Sequence, residues 1–251
     1  MWDTMLPALR RLPSGPLGRE HLLTDDFKLA AEGRLAVYWI PFERLNAHAR
    51  LIICGLTPGF AQMQAAFTAA RQALGNGLEL DEILARVYRS AAFAGAMRTN
   101  LVRMLDELGV ATTLGIDSTE DLFARQDKLV HATSALRYPV FVAGRNYSGS
   151  PGVGRSARLR TYVRGTLGPE LAAVSDALII PLGKAAGECV TMLVQAGQLD
   201  GARCLLGFPH PSGGNGHRVR QFRENKTQLR QELERWAVSR HGTGRSIQAV
   251  H

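Results

Sequence analysis

Two short stretches carry side chains whose type and spacing could do chemistry. The first, Leu206–Arg218, reads LGFPHPSGGNGHR. It sets His210 between Pro209 and Pro211, then runs through Gly213, Gly214 and Gly216 to His217 and Arg218. Proline fixes φ, so the two prolines stiffen the backbone around the imidazole, while the glycines leave the following backbone free. A loop so rich in glycine and so poor in apolar side chains is a poor piece of core. A held imidazole can donate a hydrogen bond to negative charge where it develops. The second stretch, GLTPG at Gly55–Gly59, ends an apolar run and carries one hydroxyl, Thr57, beside Pro58 and Gly59. Taken alone, GLTPG is a tight turn after a strand and His210 is a packed histidine. Taken together, with a helix opening at Phe93-Ala94-Gly95 between them, they read as parts of one site.

The charge has a sign and a place. The 251 residues carry a net charge of +8. From Arg145 to Arg164 there are five arginines, Arg155 and Arg158 among them, and no carboxylate. From His217 to Arg230 there are four arginines and one lysine against Glu224 alone. An arginine fork matches phosphate oxygens, and each phosphate contact releases counterions. These runs therefore read either as a solvated basic surface or as a patch that tracks phosphates. Cys54, Cys189 and Cys204 lie far apart among apolar neighbours, with no C-x-x-C pair. They read as buried free thiols in a reducing compartment, with no metal site. No apolar run approaches the roughly 18 residues of a membrane span. The N-terminus lacks the pattern of a signal peptide, so the expected location is cytoplasmic.

The elements that must position these residues follow from periodicity and breakers. RLIICG (50–55), DALIIPLG (176–183) and ARCLLGF (202–208) read as buried strands, KLVHATSA (128–135) as a strand, and LAVYWIPF (35–42) as a short strand ended by Pro41. Helices are expected over 60–74, 81–90, 95–110, from Pro169, over 184–196 and over 218–238. Strands alternating with helices imply parallel pairing with crossovers. The expected fold is a single α/β domain with a central, mostly parallel sheet flanked by helices. In such sheets the site lies at the carboxyl ends of the strands. Three loops leave strand ends there, Gly55–Phe60, Thr133–Tyr147 and Pro209–Arg218. Residues 137–154 are expected to be mostly loop. Residues 1–33 read as an irregular N-terminal arm, 34–238 as the globular domain and 239–251 as a frayed, flexible tail.

The set of motifs resembles the uracil-DNA glycosylase superfamily, and is most like its iron–sulfur type, usually called family 4. The resemblance covers roughly residues 48–238: GLTPG, the helix FAGAMRTNLVRMLDELGV from Phe93, LVHATSALRYP, ALIIPLGKAA, then HPSGGNGHR and a closing helix. It implies an α/β/α sandwich and a monofunctional, monomeric DNA-repair enzyme. Such an enzyme flips uracil out of single- or double-stranded DNA and hydrolyses the N-glycosidic bond, leaving an abasic site and free uracil. By this resemblance His210 stabilises the anion of the departing base, and Phe93 stacks on the extruded ring. Gly55, Leu56, Pro58 and Gly59 line the pocket, and Thr57 helps to place water. Ser212, Gly213, Asn215, His217 and Arg218 enter the minor groove. Arg145, Arg155 and Arg158 are assigned to phosphates by charge and position alone. No cofactor is implied.

The chain departs from the family at three points. Relatives commonly carry Asp, Asn or Glu where this chain has Leu56 and Thr57, to position the attacking water. The asparagine that reads uracil's amide edge aligns with Thr133, or with Ala132 or Ser134 after a shift of one, and Asn146 on the next loop is a possible substitute. The cluster-holding cysteines are missing, so no iron–sulfur cluster is expected. These departures leave a second reading open, a uracil-DNA binding protein with little turnover. A third, an α/β hydrolase or transferase acting on a small nucleoside, sits poorly with the basic runs.

Overall fold

The apolar runs fold as strands because each finds cover on both faces. In the computed structural model, which describes residues 1–243 and side chains through residue 240, the chain runs α1 (Trp2–Arg10), α2 (Arg19–Leu22), β1 (Lys28–Glu32), β2 (Leu35–Tyr38), β3 (Leu51–Gly55), α3 (Phe60–Gly75), α4 (Leu80–Ala91), α5 (Ala96–Leu108) and α6 (Val110–Leu114). It continues through β4 (Val130–Ser134), β5 (Val140–Val142), β6 (Arg145–Asn146), α7 (Ala157–Tyr162), α8 (Gly168–Ala172), β7 (Leu178–Pro181), α9 (Lys184–Gln195) and α10 (Arg218–Thr243).

β3 lies between β4 and β7 and runs parallel to both, with Ile53 level with Ala132 and Ile180. Its residues alternate between two cores. Leu51 and Ile53 pack with Leu101 and Leu105 of α5 and Leu229 and Leu233 of α10, whereas Ile52 and Cys54 pack with Leu171 of α8 and Val190 and Leu193 of α9. All five residues of β3 are buried, which is why the run is continuously apolar instead of alternating. The expected strand over 202–208 is reduced to one bridge between Cys204 and Ile179. The Asp200 side chain accepts from the Ala202 N–H and winds Gly201–Arg203 into a 3-10 turn, which uses up the start of the run.

The sheet is not the single, mostly parallel one expected. A second sheet, ordered β1-β2-β5-β6, is antiparallel throughout. Residues 137–154 supply two of its strands. β5 and β6 form a hairpin through Ala143 and Gly144, both at positive φ, as the twist of a two-residue connection requires. Residues 1–33 are not an irregular arm either. Trp2, Leu9, Leu17, Leu22 and Phe27 enter a third core with Trp39, Met63, Phe67, Ile83 and Val87. Phe27 meets Phe67 edge-on at 4.7 Å between ring centroids. The prolines and glycines of this segment interrupt its periodicity, so burial against the distant α3–α4 hairpin leaves no local pattern. At the other end α10 continues to Thr243, so the first residues of the expected tail are helical. The rest of that tail, 244–251, lies outside the described residues.

Candidate active site

The carboxyl ends of β3, β4 and β7 open into a cleft of about 700 Å³. Helices α3 and α9 both start at this edge, because each follows a parallel strand directly. The loop after β3 contributes Gly55, Leu56, Thr57 and Gly59, the end of β4 contributes Ser134, and the hairpin and its exit contribute Asn146, Tyr147, Ser148 and Gly149. The β7–α9 junction contributes Gly183, Lys184 and Glu188; Phe93, His210 and Ser212 complete the wall. The three loops expected to converge do meet here.

His210 is held from several sides. Its Nδ1 accepts the Ser212 N–H at 3.2 Å. A backbone N–H can only donate, so Nδ1 must be the acceptor, and in the neutral ring the proton sits on Nε2. Nε2 has no hydrogen-bond partner among the described residues. Burial lowers the pKa of the ring, which favours this neutral form. The backbone around it is pinned by Asn100 Nδ2 to the Pro211 carbonyl (3.0 Å), Asn215 Nδ2 to the His210 carbonyl (3.1 Å) and Arg218 Nη1 to the Ser212 carbonyl (2.7 Å). The Gly183 N–H bonds the Phe208 carbonyl at 2.8 Å. Gly183 has φ +84°, and a Cβ there would stand 2.9 Å from the His210 Cβ. A side chain at 183 and the observed imidazole cannot coexist without movement. Asn215 and Arg218 therefore brace the loop, instead of facing outward as the groove contacts expected of them. Gly213 and His217 remain exposed on its rim.

Phe93 closes the opposite wall. It is buried, its ring stands edge-on to Phe123 at 6.4 Å, and its backbone has φ 50°, rare for a bulky residue. Such strain persists where the surroundings over-determine it, commonly at sites that bind or react. A Cβ on Gly55 would lie 3.3 Å from Ser134 Oγ and 3.5 Å from Phe93 Cε1. The bare backbone of Gly55 thus lets the ring and the hydroxyl meet over the strand end.

Thr133 does not face the cleft. Alternation on β4 turns it with His131 toward Glu170 of α8, and Ser134 takes the cleft position. The Glu170 carboxylate lies 2.7 Å from His131 Nε2 and 2.7 Å from Arg137 Nη2. Burial alone would raise its pKa, but the bond to His131, the charge of Arg137 and a bond to Thr133 together hold it below the ordinary value. Thr57 is also committed. Its hydroxyl donates to the Tyr138 carbonyl and accepts from the Val140 N–H, both at 3.1 Å. With its one proton engaged, it cannot donate to a water as expected. Asn146 Oδ1 accepts the Phe60 N–H at 3.1 Å, and Gln62 Oε1 accepts the Gly59 N–H at 3.2 Å, so both cap α3. The Asn146 amide nitrogen stays available to the cleft. Pro58 lies behind the wall with Ile40 and Phe42.

The expected phosphate contacts are scattered. Arg158 pairs with Glu32 at 2.7 Å, while Arg145 and Arg155 are exposed outside the cleft. The cation at the cleft mouth is Lys184, whose side chain is 92% exposed. Lys184, Glu188 and Gly183 were not singled out from the sequence, although LGKAAGE at a strand–helix junction carries the signal for all three. All three cysteines are free and buried, and burial pushes the Cys204 thiol up to about 11. Among the described residues no cluster of three or more His, Cys, Asp or Glu could hold a metal ion, and no helix is long and apolar enough to cross a membrane.

No family model matches the chain, and no solved structure matches it. A protein of Bacillus subtilis (strain 168), YoxB, is 42% identical to it over 230 residues, 90% of each chain. The shared stretch is long enough to include both the sheet and the cleft. The chain therefore belongs to the family of the uncharacterized Bacillus subtilis protein YoxB.

Proposed function

We propose that this protein is a uracil-DNA glycosylase that hydrolyses the bond between a flipped uracil and its sugar. The observation that carries the reading is His210, a half-buried imidazole whose neutral form, favoured by desolvation, leaves its unpartnered nitrogen a donor, in the cleft that Phe93 also walls. An extruded base stacks on Phe93, a contact worth roughly 1–3 kcal/mol. Ser134 and the Asn146 amide offer hydrogen bonds to the polar edge of the base. As the glycosidic bond breaks, its electron pair moves onto the ring, and His210 Nε2–H meets the carbonyl oxygen where that charge collects. A donor placed in this way contributes about 10²–10³ in rate. The parallel sheet with helices on both faces suits the α/β/α sandwich this reading requires. The net charge of +8 suits a DNA partner.

A strand-cleavage panel tests the proposal, using oligonucleotides with uracil, hypoxanthine, xanthine or a thymine mismatch, single- and double-stranded. The expected result is an abasic product at uracil, lost by about 10²-fold or more in His210→Ala with DNA affinity nearly intact. Excision by His210→Ala at the wild-type rate would show that the site is misplaced. One observation favours the alternative of a uracil-DNA binding protein: Thr57, at the position of the water-placing group, has its hydroxyl tied to backbone. Tight retention of uracil-bearing DNA without abasic product would select that alternative.

A further inference from the structure

Hydrolysis needs a water held against the sugar carbon, and the loop Gly55–Gly59 offers no carboxylate to hold it. Among the described residues that line the cleft, Glu188 is the one carboxylate. It stands in the second turn of α9, the helix whose N-cap, Gly183, packs under His210. Imidazole and carboxylate are thereby referred to the same rigid strand–helix junction. Helical side chains lean toward the N-terminus, so Glu188 leans toward the first turn of α9. There a Cβ on Gly149 would come within 3.1 Å of Ala185, so the 147–149 segment lies against that turn. The charge of Glu188 reaches Tyr147 on this segment. Burial chiefly, then Cys189 and Glu188, raise that phenol to about 12. Glu188 is not locked into a pair: Lys184 Nζ is 3.9 Å away, and both side chains are mostly exposed.

We infer that Glu188 is the carboxylate that orients the attacking water and takes its proton. The inference rests on the glycosylase reading. In the step, the water oxygen bonds to the sugar C1′ and the C1′–N1 bond breaks. The bonding pair leaves on uracil, facing His210 Nε2–H. One water proton passes to the Glu188 carboxylate and then to solvent or the departed base, so uracil-bearing DNA and water give abasic DNA and uracil. Nothing else is consumed. Glu188 takes the part that Thr57 cannot play, from a different element.

The test compares wild type, Glu188→Gln, Glu188→Ala and the distant Glu234→Gln by single-turnover excision at saturating protein. DNA affinity is read by fluorescence anisotropy and folding by thermal melting. Expected is a fall of about 10²-fold or more for both Glu188 variants, as loss of a general base gives, with affinity within about twofold of wild type. Formate should restore part of the rate to Glu188→Ala, because a small carboxylate can occupy the vacated space; a structural role would not respond to it. Glu234→Gln should match wild type. If wild type excises and the Glu188 variants do so equally well, the inference is overturned and the glycosylase reading stands. A rate loss accompanied by an equal loss of affinity, with no response to formate, also overturns it. If wild type binds but never excises, the reading and the inference fall together.

Discussion

Gly183→Ala is the sharpest test of how the cleft is built. Gly183 has φ +84°, where an L side chain is strained by about 1–3 kcal/mol. The added Cβ would stand 2.9 Å from the His210 Cβ, about 0.6 Å inside the roughly 3.5 Å at which carbons first pack favourably. His210 cannot simply slide away, because Asn215, Asn100 and Arg218 hold its own carbonyl and those of Pro211 and Ser212. Either the Gly183 N–H to Phe208 carbonyl bond or the Ser212 N–H to Nδ1 bond must lengthen. At about 2–4 °C per kcal/mol for a chain of this size, melting should fall by several degrees. A misplacement approaching 1 Å can cost about 10²-fold in rate, so uracil excision should drop steeply. A third readout needs no activity. Burial lowers the His210 pKa, so a displaced, better-solvated ring should titrate higher by NMR. Gly187→Ala, one turn further along α9 with nothing within 4 Å of the new Cβ, is the control. A helix-interior glycine costs about 0.5–1 kcal/mol relative to alanine, so that variant should melt higher. If Gly183→Ala melts and titrates like wild type, the claim that this glycine seats the imidazole is refuted.

Two further predictions concern the supports of the cleft. Glu170→Gln should destabilise the protein by about 3–5 kcal/mol at neutral pH, since it leaves Arg137 and His131 facing an uncharged partner in a buried site. The folded-state pKa of Glu170 is lowered, so its stabilisation is complete above the ordinary value of 4.5 and is lost as pH falls through the lower folded value. Urea midpoints should therefore converge for wild type and variant as the medium is acidified below 4.5, and a constant gap would contradict the network. Asn146→Ala removes the acceptor for the Phe60 N–H and should cost about 0.5–2 kcal/mol in urea unfolding, whereas Asn146→Asp keeps the acceptor and should stay close to wild type. Equal losses in both would mean that the cap is not what Asn146 contributes.

The features legible in the chain are those written in local pattern. The runs that became β3 and β7 are apolar because helices cover both of their faces. Helices α3, α4, α5, α9 and α10 lie within a few residues of where periodicity and terminators put them. The meeting of GLTPG, Phe93 and the His210 loop follows from parallel strands, whose carboxyl ends share one edge. Other features depended on contacts between distant segments. The first 33 residues look irregular until the α3–α4 hairpin supplies a face to bury against. Thr133 and Ser134 differ by one step, yet strand alternation sends one hydroxyl to Glu170 and the other to the cleft.

The amino-acid sequence by itself determined the α/β alternation, the stiff imidazole loop and the basic balance of the chain, because each is a property of neighbouring residues. The tertiary structure alone decided that Asn215 and Arg218 brace that loop, that Thr57 is tied to backbone and that Glu188 borders the cleft. A side chain's partners are set by which segments pack together, and that information is spread over residues far apart in the chain.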